Sequence, residues 1–244
     1  MELSRSVAEK VLSIVDAGLV RGLGNPVAGE MCVEAAVCFA LGLPHGDNPP
    51  CVGDAVRALK IKLNDLEWSS KSARAKGMRR LAIAQLGSEN LSQSAFSKLV
   101  AEGVIRQIVP FALRAVIPHQ KEQKHKDALE AAAVRCEKDG DKNAADAAYA
   151  AAYAAAKTAA YAAYAAAYAA YAAAYAANAA AYAANAAANA AAYAAAKAAA
   201  KADYAAAKAD YPTRDKIYSM LAEIATDALI KLGSQGSQWL DLCA

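Results

Sequence analysis

The stretch that decides the fold class is residues 144–211, which read AADAAYAAAYAAAKTAAYAAYAAAYAAYAAAYAANAAAYAANAAANAAAYAAAKAAAKADYAAAKADY. Of these 68 residues, 46 are alanine and none is Gly or Pro. Alanine has the highest intrinsic helix propensity, and a run of this length overcomes the cost of helix nucleation. We therefore predict a long alanine-rich α-helix over 144–211.

The other residues of this tract lie almost on one line. From Asp146 to Tyr211, 19 of them recur at a mean spacing of about 3.61 residues, close to the ~3.6 residues of one α-helical turn. The eleven tyrosines among them, which we call the interaction stripe, are Tyr149, Tyr153, Tyr161, Tyr164, Tyr168, Tyr171, Tyr175, Tyr182, Tyr193, Tyr204 and Tyr211.

The stripe contains no Leu, Ile, Val or Phe. Buried tyrosine hydroxyls and asparagine amides cost free energy unless they are paired. We therefore expect the stripe to face solvent while the alanine side lies against protein. Tyrosines packed on a partner or on the N-terminal helices are the alternative.

A single straight helix over 144–211 would be roughly 100 Å long. The tract either projects as one rod, which we favour, or folds back as a hairpin. Small side chains allow close approach of another helix, so a projecting alanine face favours self-association.

The rest of the chain predicts an all-α fold in four parts. Residues 1–118 read as a bundle of short helices, 119–143 as a linker with a helical turn, and 144–211 as the long helix. Residues 212–244 form an amphipathic C-terminal helix and a tail that packs back on the N-terminal domain. Its docking anchors are Trp239, Leu240 and Leu242, which would otherwise be exposed to water.

Helix-breaking and helix-capping residues indicate where the shorter helices begin and end. We predict an apolar helix from about Glu30 to Leu41, one from Val56 towards Trp68, and one capped by Ser69 or Ser70. Ser92 or Ser94 caps the next, and Val104 to Ile117 forms another unless Pro110 splits it. No useful length alternates with period two, so essentially no sheet is expected.

Composition excludes several classes of protein. Five cysteines in 244 residues do not form a disulfide framework, and the net charge of +3 is mild. We find no secretory signal and no run of about 20 strongly apolar residues. We expect a cytoplasmic protein that does not enter a membrane.

Potential metal ligands cluster at Cys32, Cys38, His45, Asp47 and Cys51. Zinc sites prefer closer cysteine pairs, so buried helix cysteines beside a Pro-rich loop are the favoured interpretation. The alternative is a thiol- or zinc-dependent protein centred on Cys32 and His45, with a low-pKa thiol at a helix N-terminus. We predict no catalytic residue, no cofactor and no metal.

A basic helix face offers a second alternative. It comprises Lys71, Arg74, Lys76, Arg79 and Arg80, without an acidic residue between them. This face could bind phosphate, as in a nucleic-acid-associated protein. A solvated helix surface is the favoured interpretation.

In composition the tract resembles the alanine-rich helices of type I antifreeze proteins, which implies ice binding as a third alternative. Those helices present threonine at a regular repeat. This tract departs from the pattern, because its one threonine, Thr158, lies off the stripe. The leading expectation is a non-enzymatic structural or assembly protein whose alanine-rich helix binds another copy or another helical protein.

Overall fold

A computed structural model describes residues 3–156 and 211–244, and within these ranges the chain is all-α, as predicted. The first helices are α1 (Arg5–Asp16), α2 (Val33–Ala40), α3 (Asp54–Asn64), α4 (Lys71–Ala84) and α5 (Gln93–Gly103). A π-helical segment (Val104–Ile108), α6 (Val109–Val116) and a 3-10 turn (Ile117–His119) follow. The remaining elements are α7 (Gln123–Asp139), α8 (Lys142–Ala156), α9 (Tyr211–Leu232) and a 3-10 segment (Gln235–Cys243).

Side-chain caps fix where three of these helices begin. The hydroxyls of Ser4, Ser70 and Ser92 each accept a hydrogen bond from the backbone N–H three residues later. Such a cap satisfies one of the N–H groups that a helix leaves unpaired at its start. The structure thus selects Ser70 and Ser92 from the pairs of serines that the sequence offered.

Pro110 does not split the segment that follows α5. The chain continues through the π-helical segment into α6, where Pro110 lies in the first turn. The N–H of Val109 bonds to the carbonyl of Val104, five residues earlier. The wider turn accommodates a proline that would disturb a regular helix interior, because proline lacks an N–H and crowds the preceding turn.

The third helix ends earlier than predicted, at Asn64, and Trp68 lies in the loop beyond it. Its indole Nε1 donates to the Leu63 carbonyl at 2.9 Å. The ring packs edge-on against Tyr218 of α9, with centroids 5.1 Å apart. A Cβ atom on Gly77 of α4 would lie 2.4 Å from the Trp68 ring, so only glycine permits this packing.

The segment predicted to be a linker with a helical turn, in which the stretch from Asp127 to Lys138 reads as helical, contains the 17-residue helix α7. Its buried residues are Leu129, Ala132, Ala133 and Cys136, which share one helix face. That face packs against α6 and α8. Residues 119–143 therefore contribute to the core rather than only connecting two parts of the chain.

One hydrophobic cluster joins the described helices. It extends from Ala8 in α1 to Trp239 in the final 3-10 segment. Helix α4 lies at its centre, in contact with α1, α9 and the C-terminal segment. In the ranges that the structure covers, extended pairing is limited to an isolated bridge between Gly24 and Met31, and no helix is long and apolar enough to cross a membrane.

Candidate functional site

The first part of the alanine-rich tract is α8, and it packs by its alanines. Ala144, Ala145, Ala148, Ala152 and Ala155 are buried and form one side of the helix. They face α7, to which the chain returns after the turn at Gly140. The Cys136 thiol donates to the Ala144 carbonyl at 3.4 Å, so the two helices approach closely.

The first two residues of the interaction stripe lie away from that buried side. Tyr153 is 44% exposed, and Tyr149 is half-buried and packs against the core. Their rings stack with centroids 6.0 Å apart. Over α8 one row of alanines therefore faces protein, Ala150 and Ala154 are exposed, and the stripe ranges from half-buried to exposed.

The other stripe residues fall outside what the structure describes. Tyr161, Tyr164, Tyr168, Tyr171, Tyr175, Tyr182, Tyr193 and Tyr204 lie within 157–210. Tyr211 begins α9, but its side chain is not described. The prediction of one long helix over 144–211 likewise extends beyond the described residues.

Both flanks of the tract belong to the same core. Helix α8 packs on α7, and α9 packs on α4 and α5. Near the start of α9, Asp215 accepts a hydrogen bond from the Ser69 N–H at 3.0 Å. In the same turn, the Lys216 ammonium lies 4.7 Å from the centre of the Phe111 ring. The described residues on both sides of 157–210, in α8 and α9, therefore pack in the core.

The docking anchors lie on the C-terminal 3-10 segment, which contacts α4 and α1. Trp239 is only 8% exposed, and Leu240 and Leu242 are partly buried against the core. The N–H of Gly236 donates to the Leu86 carbonyl at 2.7 Å. A Cβ atom at Gly236 would lie 2.0 Å from the Ile83 carbonyl oxygen, so glycine is what allows this approach.

The basic face on α4 is largely engaged within the fold. Arg74 is buried and donates to the carbonyls of Asn64, Leu19 and Leu66. Arg79 binds Asp16 of α1 through two hydrogen bonds, of 2.7 and 3.1 Å. Arg80 pairs with Glu223 of α9. The helix has no acidic residue of its own, but neighbouring helices supply the acids.

The cysteines predicted as potential ligands are separate buried thiols. Burial raises the pKa of Cys32, Cys38 and Cys51, to about 11 for Cys38. The favoured interpretation of Cys32 as a buried helix cysteine agrees with its burial, whereas the alternative of a low-pKa thiol does not. Its sulfur does cap α2, accepting from the Ala35 N–H at 3.3 Å, but desolvation outweighs that stabilisation of the thiolate.

His45 is not paired with Asp47 in the structure. Its Nε2 lies 3.0 Å from the Gly24 carbonyl, which fixes the ring against the loop before α2. Within 3–156 and 211–244, no three His, Cys, Asp or Glu side chains are grouped as a metal site requires. At these residues the structure forms neither a general base held in place by an acidic side chain nor a set of zinc ligands.

A buried ion pair lies beside these cysteines and was not predicted. Glu34 of α2 and Lys60 of α3 are both 0% exposed, and the Lys60 Nζ lies 3.1 Å from the Glu34 Oε1. Among the residues that the structure describes, neither Glu34 carboxylate oxygen nor the Lys60 ammonium forms a hydrogen bond of normal geometry. Burial raises the pKa of Glu34 and lowers the pKa of Lys60, while their mutual attraction opposes both shifts.

The sequence carried one signal of this pair. Glu34 is the only charged residue in α2, VEAAVCFA, whose other residues are apolar. A charge on a helix that is apolar all round requires a buried partner. Lys60 could not be named as that partner, because it lies on a different helix.

Comparisons with protein-family models, curated proteins and solved structures found no match for this chain.

Proposed function

We propose that this chain is a structural or assembly protein, in which the alanine-rich tract binds a second copy of the chain. A helical core holds both ends of the tract, and the tract supplies the contacting surface. The chain is proposed to act without catalysis and in the cytoplasm.

The observation that carries the proposal is the anchoring of both flanks. Helix α8 places five of its alanines in the core, and α9 packs on α4 and α5. A segment held at both ends loses less conformational entropy on binding than a free tail, which favours its use as an interface.

Packing between α7 and α8 provides a second support. Alanine side chains there allow close helix contact, although each buries little apolar area. The same alanine-rich sequence continues through residues 157–210. A second helix of this composition would therefore pack in the same way, with tyrosines supplying the larger contact areas.

The test compares the whole chain with a variant in which residues 157–210 are replaced by a flexible Gly/Ser linker of about 20 residues. We expect the whole chain to self-associate in sedimentation and light scattering, while the variant stays monomeric. Both should give the same melting temperature for the core. A whole chain that is monomeric at millimolar concentration contradicts the proposal.

Stripe variants then separate a tyrosine contact from an alanine contact. Changing Tyr161, Tyr168, Tyr175 and Tyr182 to Ser removes the rings and keeps the alanines. Loss of self-association assigns the interface to the stripe, whereas unchanged association assigns it to the alanine side. Circular dichroism controls for loss of helix in the variant.

The alternatives give different outcomes in the same preparations. A nucleic-acid-binding function would rely on Lys71 and Lys76, because Arg79 and Arg80 are paired within the fold. A salt-sensitive gel shift that is lost in a Lys71→Ala/Lys76→Ala variant would support that function. Thermal hysteresis of the whole chain, absent from the linker variant, would support ice binding.

A further inference from the structure

The C-terminal segment, residues 211–244, docks on a surface that comes from a distant part of the chain. Helix α9 packs on α3, α4, α5 and the π-helical segment, and the final 3-10 segment packs on α4 and α1. All of these elements lie before residue 109. We call the surface that they form the docking surface. The tract separates it from the C-terminal segment along the chain.

The segment brings a well-fitted apolar side to this contact. Tyr218, Leu221, Ile224 and Leu229 of α9 are all at most 3% exposed. A Cβ atom on Gly103 of α5 would lie 2.5 Å from the Ile224 side chain, so the two helices are closely matched in shape. Because burial of apolar surface is the main favourable term in association, the docking surface has to be covered by a segment of this kind.

Charge complementarity adds specificity to the contact. Arg80 of α4 pairs with Glu223 of α9, and Arg5 of α1 binds Asp241 of the 3-10 segment at 2.7 Å. In both pairs the cation lies on the docking surface and the acid lies on the segment. Neither these contacts nor the apolar ones require that the two sides belong to the same polypeptide.

The length of the tract favours a second polypeptide. The tract between the described flanks, residues 157–210, has 54 residues. A straight helix of that length is about 80 Å long, whereas a compact body of about 190 residues is roughly 40 Å across. A linker that cannot bring its ends together gives the intramolecular contact almost no effective concentration. A chain with a straight tract can therefore dock its segment only on another copy.

We propose that residues 211–244 of one copy dock on the α1, α3, α4 and α5 surface of a second copy, through the contacts that the structure shows within one chain. Reciprocal exchange of the segment closes a dimer. This contact is separate from the one in the proposed function, since it uses the C-terminal segment and holds whether or not the two tracts touch.

The experiment mixes two full-length variants with reversed charges. The first carries Arg5→Glu/Arg80→Glu on the docking surface, and the second carries Glu223→Arg/Asp241→Arg on the segment. Each variant opposes like charges within its own chain, but exchange between the two variants matches both pairs at both interfaces. Equal amounts, one of them labelled with ¹⁵N, are unfolded in urea, mixed and refolded, and the dimers are weighed by native mass spectrometry.

We expect heterodimers to make up roughly nine-tenths of the dimers, because every like-charge contact of a homodimer becomes attractive in the heterodimer. If the tracts alone hold two copies together, pairing is random and about half of the dimers are heterodimers. Random pairing therefore overturns the exchange and leaves the proposed function standing. Absence of dimers overturns both.

A pair within the first part of the chain is the matched control. Arg114 of α6 and Glu130 of α7 form an ion pair as exposed as that of Arg80 and Glu223, and both lie before the tract. Mixing Arg114→Glu with Glu130→Arg should give random pairing. Enrichment of heterodimers in this control equal to that in the test pair would overturn the proposal, since it would not depend on the docking surface.

The wild-type chain provides a second measurement that does not depend on refolding of the variants. The rings of Trp68, in the loop before α4, and Tyr218 of α9 have centroids 5.1 Å apart. A dimer made from one copy with ¹³C-labelled tryptophan and one unlabelled copy should show an isotope-filtered nuclear Overhauser effect between these rings. A dimer in which this effect arises only within one chain overturns the exchange.

Discussion

Breaking the Glu34–Lys60 pair should destabilise the fold far more than removing it entirely. Lys60→Met leaves a carboxylate buried without a cation, and Glu34→Leu leaves a buried ammonium without an anion. Because both side chains are 0% exposed and only 3.1 Å apart, each single change should lower the free energy of unfolding by about 3–5 kcal/mol. For a chain of this size that corresponds to a fall of roughly 6–20 °C in melting temperature.

The double variant, Glu34→Leu/Lys60→Met, removes both charges and replaces them with apolar side chains of similar volume. Its stability should be within about 1 kcal/mol of wild type or above it, because desolvation of two charges no longer opposes folding. The poor hydrogen-bond geometry of the pair strengthens this expectation. Urea denaturation followed by circular dichroism gives all four free energies of the cycle.

The pH dependence of Lys60→Met adds an independent test. Burial raises the pKa of Glu34 in the folded chain above its ordinary value of 4.5, and loss of Lys60 removes the main opposing attraction. The folded state of the variant then binds a proton more readily than the unfolded state. Its deficit relative to wild type should therefore shrink as the pH falls from 8 to 5.

Three results would refute this reasoning. They are a loss below about 1 kcal/mol in both single variants, a double variant as unstable as either single one, and a Lys60→Met deficit that does not change with pH. Any of them would mean that water or a structural adjustment compensates the charges.

Other contacts give further predictions. Arg106→Ala should lower the free energy of unfolding by about 1–3 kcal/mol in urea titrations, because its guanidinium donates to the last carbonyls of α7, at Glu137, Lys138 and Asp139. Tyr218→Phe should leave the melting temperature unchanged or raise it, because the buried hydroxyl has no hydrogen-bond partner among the described residues; a large fall would show that the hydroxyl is bound. Arg114 lowers the pKa of Glu137 below 4.5, so the unfolded state binds more protons and this stabilisation is lost as the pH falls below about 4.5. Urea midpoints between pH 6 and 3 should decline less steeply for Glu137→Gln.

The all-α class and the helix caps could be predicted because their signals are local. A serine before an apolar helical repeat specifies a helix start through its own hydroxyl, as Ser70 and Ser92 do. The buried side of α8 consists of alanines, as the spacing of the tract favours, although Ala150 and Ala154 are exposed and Tyr149 is half-buried.

The extent of α7 and its place in the core were underestimated, because its buried side consists mainly of Ala132, Ala133 and Cys136, with one leucine, between charged residues. Small side chains produce a weak apolar signal even when they pack closely.

The surface of α4 was misjudged for another reason. Arg79 and Arg80 find their acids 63 and 143 residues away in the chain, and spacing within one helix carries no information about such partners.

The first and last helical segments of the described chain lie side by side. Arg5 binds Asp241 at 2.7 Å, and Gln235 donates to the Leu3 carbonyl at 3.4 Å. A short peptide could therefore join the two ends, with new termini opened inside residues 157–210 to give a circular permutant. In such a molecule α8 and α9 would keep their contacts. The helices would then reach the same arrangement although they are synthesised in a different order.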